Sequence, residues 1–230
     1  MNEDTRIVVF CYDGDRDLVE RHFPVHRSHQ CPISIMSPSD STVFIGGADC
    51  RNAGKRAYIG QDSINRHRAH LEMCLEYSEQ YFLLHDADSL CLSPEIPHRW
   101  HRHADTCVFS GEVPETRPHE TPYPKTAMQP PYYLHRSTIA QLLAAEPVEV
   151  HPITPYIDWW WTAQCWKAGV SHLPHSVLMH PSTGPKFTGS DPWETAAYSI
   201  RHCGAVMMHP IKDKAQLDIV CAAYAERDNQ

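Results

Sequence analysis

Tyr81-Phe82-Leu83-Leu84 is a run of large apolar side chains that passes without a break into His85-Asp86-Ala87-Asp88. A run that is apolar at every position reads as a strand buried in a sheet, because a strand with one wet face alternates. The beginning of the chain repeats the arrangement. Arg6-Ile7-Val8-Val9-Phe10-Cys11-Tyr12 is rich in β-branched and aromatic types and leads into the turn Asp13-Gly14-Asp15. Between the two runs, from Asp62 to about Ser78, Ile64, Leu71, Leu75 and Ser78 share one face at helical spacing, uninterrupted by glycine or proline. Buried strands that end in carboxylates, with a helix between them, confine the chain to an α/β sheet.

The remaining segments extend that pattern. Residues 15–22 predict a short helix, and Ile33-Ser34-Ile35-Met36 a strand closed by Ser37-Pro38-Ser39-Asp40-Ser41. The stretch 42–60 is assigned no element, with Gly46-Gly47 and Gly54 marking loops. Cys107-Val108-Phe109-Ser110 is a strand, 113–131 a long proline-rich loop, Tyr132-Tyr133-Leu134 a strand and 137–145 a helix. A helix over 158–168 stops at Gly169, strands lie near 176–179 and 205–208, and a helix runs from about 213 to 225. The expected fold is one doubly wound domain: a mostly parallel, twisted, Rossmann-like sheet flanked by helices, with irregular strands in the second half. There is no internal repeat.

Composition narrows the function. A chain of 230 residues with 42% hydrophobic and 21% charged residues suits one packed domain, or one with a small lobe. No apolar run approaches the roughly 20 residues that cross a bilayer. The acidic start, Met-Asn-Glu-Asp-Thr-Arg, goes straight into the first strand, so a soluble, cytoplasmic protein without a secretory signal is expected. Nine cysteines, none in a Cys-x-x-Cys pair, read as reduced packing residues. A net charge of −8 counts against coating nucleic acid by charge; the local exception is the basic, aromatic Pro97-His98-Arg99-Trp100-His101-Arg102-His103.

Open α/β sheets bind ligands beyond the carboxyl ends of their strands, where the strand order reverses. Three strands here end in polar residues, at Tyr12-Asp13, at Ser37 to Asp40 and at Asp86 to Asp88. Two carboxylates one residue apart suit Mg²⁺ or Mn²⁺, which takes one or two protein carboxylates and completes its shell with phosphate oxygens and water. An exposed acidic turn produces the same letters; the buried strand before Asp86 and the helix before that strand favour the metal.

Tyr81 to Ser89 resembles the Asp-x-Asp strand of GT-A glycosyltransferases, enzymes that transfer a sugar from a nucleotide-sugar donor. Tyr132-Tyr133-Leu134-His135-Arg136-Ser137-Thr138 is similar to that family's strand-to-helix corner beside the acceptor. Tyr156-Ile157-Asp158-Trp159-Trp160-Trp161, with Gly169-Val170 closing the helix, resembles its acidic helix start. Met208-His209-Pro210-Ile211-Lys212-Asp213 looks like the late histidine that completes the metal site. The resemblance runs from about Arg6 to Lys214. It implies a donor-binding half over 1–92 and an acceptor half over 93–230, with Asp86, Asp88 and His209 as ligands to Mn²⁺ or Mg²⁺. Two features depart from the family. One carboxylate, Asp158, stands where two adjacent ones are usual, and Met179-His180-Pro181 with Lys186 competes with His209.

Each implied role has a plainer counterpart. Asp158 is either a helix-start charge favoured by the dipole or the base that takes the acceptor hydroxyl's proton in an inverting transfer. Trp159, Trp160 and Trp161 cannot all face the core, so one indole is expected near the surface, where it suits a sugar ring or a base. For the nucleotide, Tyr12 would stack on the base, Asp13 and Asp40 would bind base or ribose, and Arg66 and Lys212 would meet the phosphates, the donor most simply a UDP-sugar. The acceptor is open between a saccharide and, against the charge, hydroxymethylated DNA. A nucleotidyltransferase would use a similar metal site, but the acidic Asp13-Gly14-Asp15-Arg16-Asp17 stands where its basic glycine-rich loop belongs. A zinc or nucleic-acid binding module, suggested by 17 histidines, lacks paired cysteines at zinc-finger spacing.

Overall fold

The structure, a computed structural model, describes residues 4–41, 43–57, 60–92, 107–114, 126–149, 157–174, 178–179, 192–203, 205, 207–208 and 211–229. In chain order the strands are β1 (Thr5–Phe10), β2 (Ile33–Ser37), β3 (Asp49–Asn52), β4 (Tyr81–Asp86), β5 (Leu90–Cys91), β6 (Cys107–Pro114), β7 (Thr126–His135), β8 (Ser171–Pro174), β9 (Leu178–Met179) and β10 (Met207–Met208). The helices are α1 (Arg16–Ser28), α2 (Gly60–Cys74), α3 (Arg136–Ala144), α4 (Ile157–Ala168), α5 (Pro192–Cys203) and α6 (Lys214–Asp228).

Seven strands form one sheet in the order β3-β2-β1-β4-β7-β6-β8, and only β7 runs against the others. Strand period explains its two covered faces. Ile7 and Val9 of β1, Ile33 and Ile35 of β2, Leu83 of β4 and Tyr133 of β7 enter one core with Val19 and Phe23 of α1. Val8, Phe10, Phe82, Leu84, Tyr132 and Leu134 enter the other, against Ile64 and Leu71 of α2, Ile139 of α3 and Trp160 and Trp161 of α4. Wet faces are absent from the central strands, hence their unbroken apolar runs. A third cluster packs α5 and α6 over a small sheet, β5-β10-β9. This is the mixed α/β, mostly parallel architecture that the sequence implies.

The differences are local. Helix α1 continues to Ser28 through Pro24, losing one backbone donor, because His22, Phe23 and His26 are buried around it. Helix α2 ends at Cys74, and single-turn bonds such as Leu75 N–H to Glu72 C=O (3.0 Å) finish the segment expected as helix to Ser78. The proline-rich stretch expected as loop over 113–131 contributes Thr126 to Pro131 to β7. Pro130 and Pro131, which have no N–H to donate, sit at a register break where Ser110 faces Tyr132 and Gly111 faces Gln129. Strands β3, β5 and β8 and helix α5 have no counterpart in the sequence expectation.

The amino edge of the sheet is tied by one arginine. Arg6 donates from Nη2 to Glu79 Oε1 at 2.7 Å and from Nη1 to Ser34 Oγ at 2.8 Å, and its guanidinium lies 3.8 Å above the Tyr77 ring. Tyr77 in turn donates to Asp49 Oδ2 at 2.7 Å, joining β3 to the end of α2. Glu79 is buried, so removing its charge strands Arg6 without a counter-ion. Glu79→Ala should cost about 3 kcal/mol of folding free energy, read as a lowered urea midpoint with an unchanged m-value.

Candidate functional site

Strands β1 and β4 are parallel neighbours whose connections leave toward opposite sides, and their carboxyl ends coincide: Phe10 pairs with Asp86. A cleft of about 650 Å³ opens at this switch point. Its walls come from distant segments: Phe10, Tyr12, Gly14 and Asp15 after β1, with Asp17, Leu18 and Arg21 of α1; Arg66 and His67 of α2; Asp86, Ala87 and Asp88 after β4; Ile157 and Asp158 of α4; and Lys212 before α6.

The acidic turn is short and pinned. Ser89 N–H donates to the Asp86 carbonyl at 3.0 Å, so the chain reverses at once and both carboxylates stay at the cleft while Ala87 is buried. On the far side, Ile211 N–H donates to the Asp88 carbonyl at 2.6 Å, and Lys212 Nζ lies 3.6 Å from Asp88 Oδ2. Asp213 caps α6 by accepting from Gln216 N–H at 2.9 Å, while Gln216 accepts from Lys212 N–H at 2.7 Å. Lys212 thus sits on a fixed helix start. Beneath the turn, three imidazoles hold backbone groups. His26 Nε2 accepts from Cys91 N–H at 3.2 Å, His29 Nε2 donates to the Cys91 carbonyl at 2.8 Å, and His85 Nδ1 donates to the Asp86 carbonyl at 2.9 Å.

On the β1 side, Tyr12 and Asp15 close a tight turn: Tyr12 N–H donates to Asp15 Oδ2 at 3.0 Å and Asp15 N–H to the Tyr12 carbonyl at 2.9 Å. The Tyr12 hydroxyl donates to Ala57 C=O at 2.8 Å, and the guanidinium groups of Arg66 and Arg56 lie 4.6 Å and 5.2 Å from its ring centre. Arg66 is 6% exposed. Burial pushes its guanidinium down to about 10, opposed in part by the Asp86 carboxylate, so it remains a cation at neutral pH. Gly54, at φ +68°, lets α2 approach: a Cβ there would lie 2.7 Å from Arg66 Cα.

Asp158 stands in the first turn of α4 and faces the same cleft as Asp86 and Asp88. Both the Asp158 and Asp86 carboxylates act on the buried Tyr132 phenol, which burial above all, and then these two charges, push well up. Trp160 and Trp161 are core residues, Trp161 stacked on Tyr132 at 4.4 Å, whereas Trp159 is half-buried. That matches the expectation that one indole stays near the surface.

The cleft therefore gathers Tyr12, Arg66, Asp86, Asp88, Asp158 and Lys212 from the sequence-derived set. Asp40 is not in its wall: it is an exposed residue of the turn after β2, where Ser41 N–H bonds the Pro38 carbonyl at 2.9 Å. Asp13 belongs to the turn Asp13–Asp15, its side chain outside the described residues. His209, His180 and the basic 97–103 segment also lie outside them. Among the described residues no group of three or more His, Cys, Asp or Glu could hold a metal. Sequence reasoning missed Asp15, Asp17, Arg21 and His67. Asp17 and Arg21 are four apart on α1, a helical spacing that could have placed both beside the first strand's end.

Sheet order, cleft position and the α/β layers define a GT-A-like fold. The chain is similar to the galactosyltransferase LgtC in complex with donor and acceptor sugar analogs, with a TM-score of 0.57 and 14% identity over 97% of this chain and 95% of that one. It is similar to an active-site mutant of LgtC, with a TM-score of 0.56 and 13% identity over 90% and 88% of the two chains. A 4-diphosphocytidyl-2C-methyl-D-erythritol synthase matches with a TM-score of 0.47 and 14% identity over 74% and 88%. At such identities the likeness to LgtC is one of fold. No family model and no curated protein sequence matches the chain. Among the described residues, no helix is long and apolar enough to cross a membrane.

Two outcomes follow from the packing. Gly54→Ala places a methyl group against the Arg66 backbone in a left-handed conformation, and should cost about 1–3 kcal/mol in a urea titration. The buried imidazoles set the pH response. Burial above all, then His85, His22 and His29, lowers His26 well below the ordinary histidine value; burial, then Arg66 and His70, does the same to His67. Burial, then Arg66, lowers His70 to about 3. The unfolded chain takes up these protons as pH falls through about 6.5, the folded chain only far lower. Folding stability should therefore be full above about pH 7 and fall on acidification, by about 1.4 kcal/mol per pH unit for each such histidine. Urea midpoints between about pH 8 and pH 5 check the slope; a flat profile contradicts the buried neutral rings.

Proposed function

We propose that this chain is a metal-dependent glycosyltransferase that moves a sugar from a nucleotide-sugar donor, most simply a UDP-sugar, to a saccharide hydroxyl. The observation that carries the reading is the convergence, in one cleft at the strand-order reversal, of the Asp86–Asp88 carboxylate pair, the cations Arg21, Arg66 and Lys212, and Asp158 from a separate helix. Asp86 and Asp88 supply hard oxygen donors of the kind Mn²⁺ and Mg²⁺ take one or two at a time, and His209 would complete the set. Bound there, the ion would offset charge on the departing diphosphate. Arg66 and Lys212 act on the same oxygens. Tyr12 and Asp13 flank the nucleoside; the exposed position of Asp40 leaves it peripheral to that role.

Asp158 lines the same cleft as the carboxylate pair and acts as the base. It takes the acceptor hydroxyl's proton as the new bond to the sugar's anomeric carbon forms and the bond to the diphosphate breaks, with inversion. A net charge of −8 opposes a DNA acceptor and favours a small saccharide. The likeness in fold to LgtC, whose structure holds donor and acceptor sugar analogs, agrees with a nucleotide-sugar transferase scaffold.

Calorimetry with uridine diphosphate and Mn²⁺ tests the donor site. Asp88→Ala should abolish Mn²⁺-dependent binding while the protein stays folded; unchanged affinity removes the acidic turn from the site. Asp158→Asn should leave donor binding within about twofold and cut kcat and kcat/KM together by about 10²-fold or more. Near-normal turnover with a lowered melting point instead makes Asp158 a helix-start charge and leaves the base elsewhere.

A further inference from the structure

Arg66 is a buried cation held by a neutral partner. Its Nη2 lies 3.1 Å from His67 Nε2, its buried Nε has no hydrogen-bond partner, and the Asp86 carboxylate attracts it through space, so the direct hydrogen bond that orients it comes from the neutral imidazole. His67, 3% exposed, also reaches the cleft, and its ring packs edge-on against Phe10 at 5.1 Å between centroids. On the other side Phe10 stacks on His70, again at 5.1 Å. The packed rings fix where His67 presents its nitrogen.

A guanidinium can only donate, so His67 Nε2 must accept, which places the imidazole proton on Nδ1. A carboxylate in that position would hold Arg66 as well but would cancel its charge. An imidazole in its neutral form holds the guanidinium and leaves the charge for a ligand. We propose that His67 is a positioning residue, whose Nε2 fixes the Arg66 guanidinium at the cleft as an undischarged cation for a diphosphate. The assignment rests on the reading of the cleft as a donor site and adds the residue that orients its anion contact.

The test measures pyrophosphate and uridine diphosphate affinity by calorimetry, with Mn²⁺ present, in His67→Gln, His67→Leu and His67→Asn. Gln can place its amide oxygen where Nε2 lies; Leu fills the space without an acceptor; Asn stays polar but falls short. Gln should bind within about threefold of wild type, and Leu and Asn about tenfold more weakly. In an Arg66→Lys background the same His67 changes should add almost nothing, because the group they orient is gone. A merely structural His67 would show equal losses in Gln and Leu, and losses that add to that of Arg66→Lys; either result overturns the proposal, as does wild-type affinity in Leu or, should Leu fail to fold, in Asn. Wild-type protein that binds pyrophosphate but not uridine diphosphate overturns the nucleotide-sugar reading while the His67 comparison still decides; binding of neither overturns both.

Discussion

The parallel pairing of β1 with β4, from Thr5 against Tyr81 to Phe10 against Asp86, is the contact on which the site depends. These strands are covered on both faces, so a slip of one residue would drive Val8 and Phe10 into the wrong core and carry the acidic turn with them. Register at the centre of the sheet therefore determines how far Asp86 and Asp88 project beyond Phe10. Helices then add the rest of the wall: α1 brings Arg21, α2 brings Arg66, and α4 brings Asp158.

Those charges are held by groups that differ in kind. The acidic turn rests on the imidazoles of His26, His29 and His85 and on two backbone bonds at Asp86 and Asp88. The Lys212–Asp88 pair is different: Lys212 is 68% exposed, so solvent screens the attraction and the ammonium is free to move to another anion. A ligand entering the cleft meets a rigid carboxylate side and an adaptable cation.

The central fold was legible because burial on both faces writes itself as continuous apolar runs at 6–12 and 81–84. The place of Asp86 and Asp88 at the strand end was legible for the same reason, these being the first carboxylates after such a run. Strand β3, Asp-Cys-Arg-Asn, was not, because an edge strand held by Arg51, Asp49 and Tyr77 needs no apolar pattern. Helix α5 was passed over although Ala196, Ala197 and Ile200 carry its buried face; small residues give a weak periodic signal. His67 was invisible as a site residue, since a histidine inside an amphipathic helix looks like any packed ring. Its role lies in a contact with its sequence neighbour across a turn of side-chain geometry. Asp40 lies outside the cleft wall because a polar residue after a strand need not face the reversal of strand order, and β2 lies one strand away from it.

The third hydrophobic cluster has a dynamic consequence. Strand β5 leaves the acidic turn and pairs with β10, and the chain after β10 returns to bond Asp88 through Ile211 and to offer Lys212. Helices α5 and α6 pack there in a cluster of their own, separate from the two cores of the main sheet. Such a subdomain can open as one cooperative unit at a lower free energy than global unfolding. Each opening would carry Lys212 out of the cleft and bare the Asp88 carbonyl, while Arg66 and Asp158 stayed on the main sheet. Amide exchange at Ile211 therefore reports how often one wall of the cleft is missing, and a ligand bridging Asp88 and Lys212 would slow it.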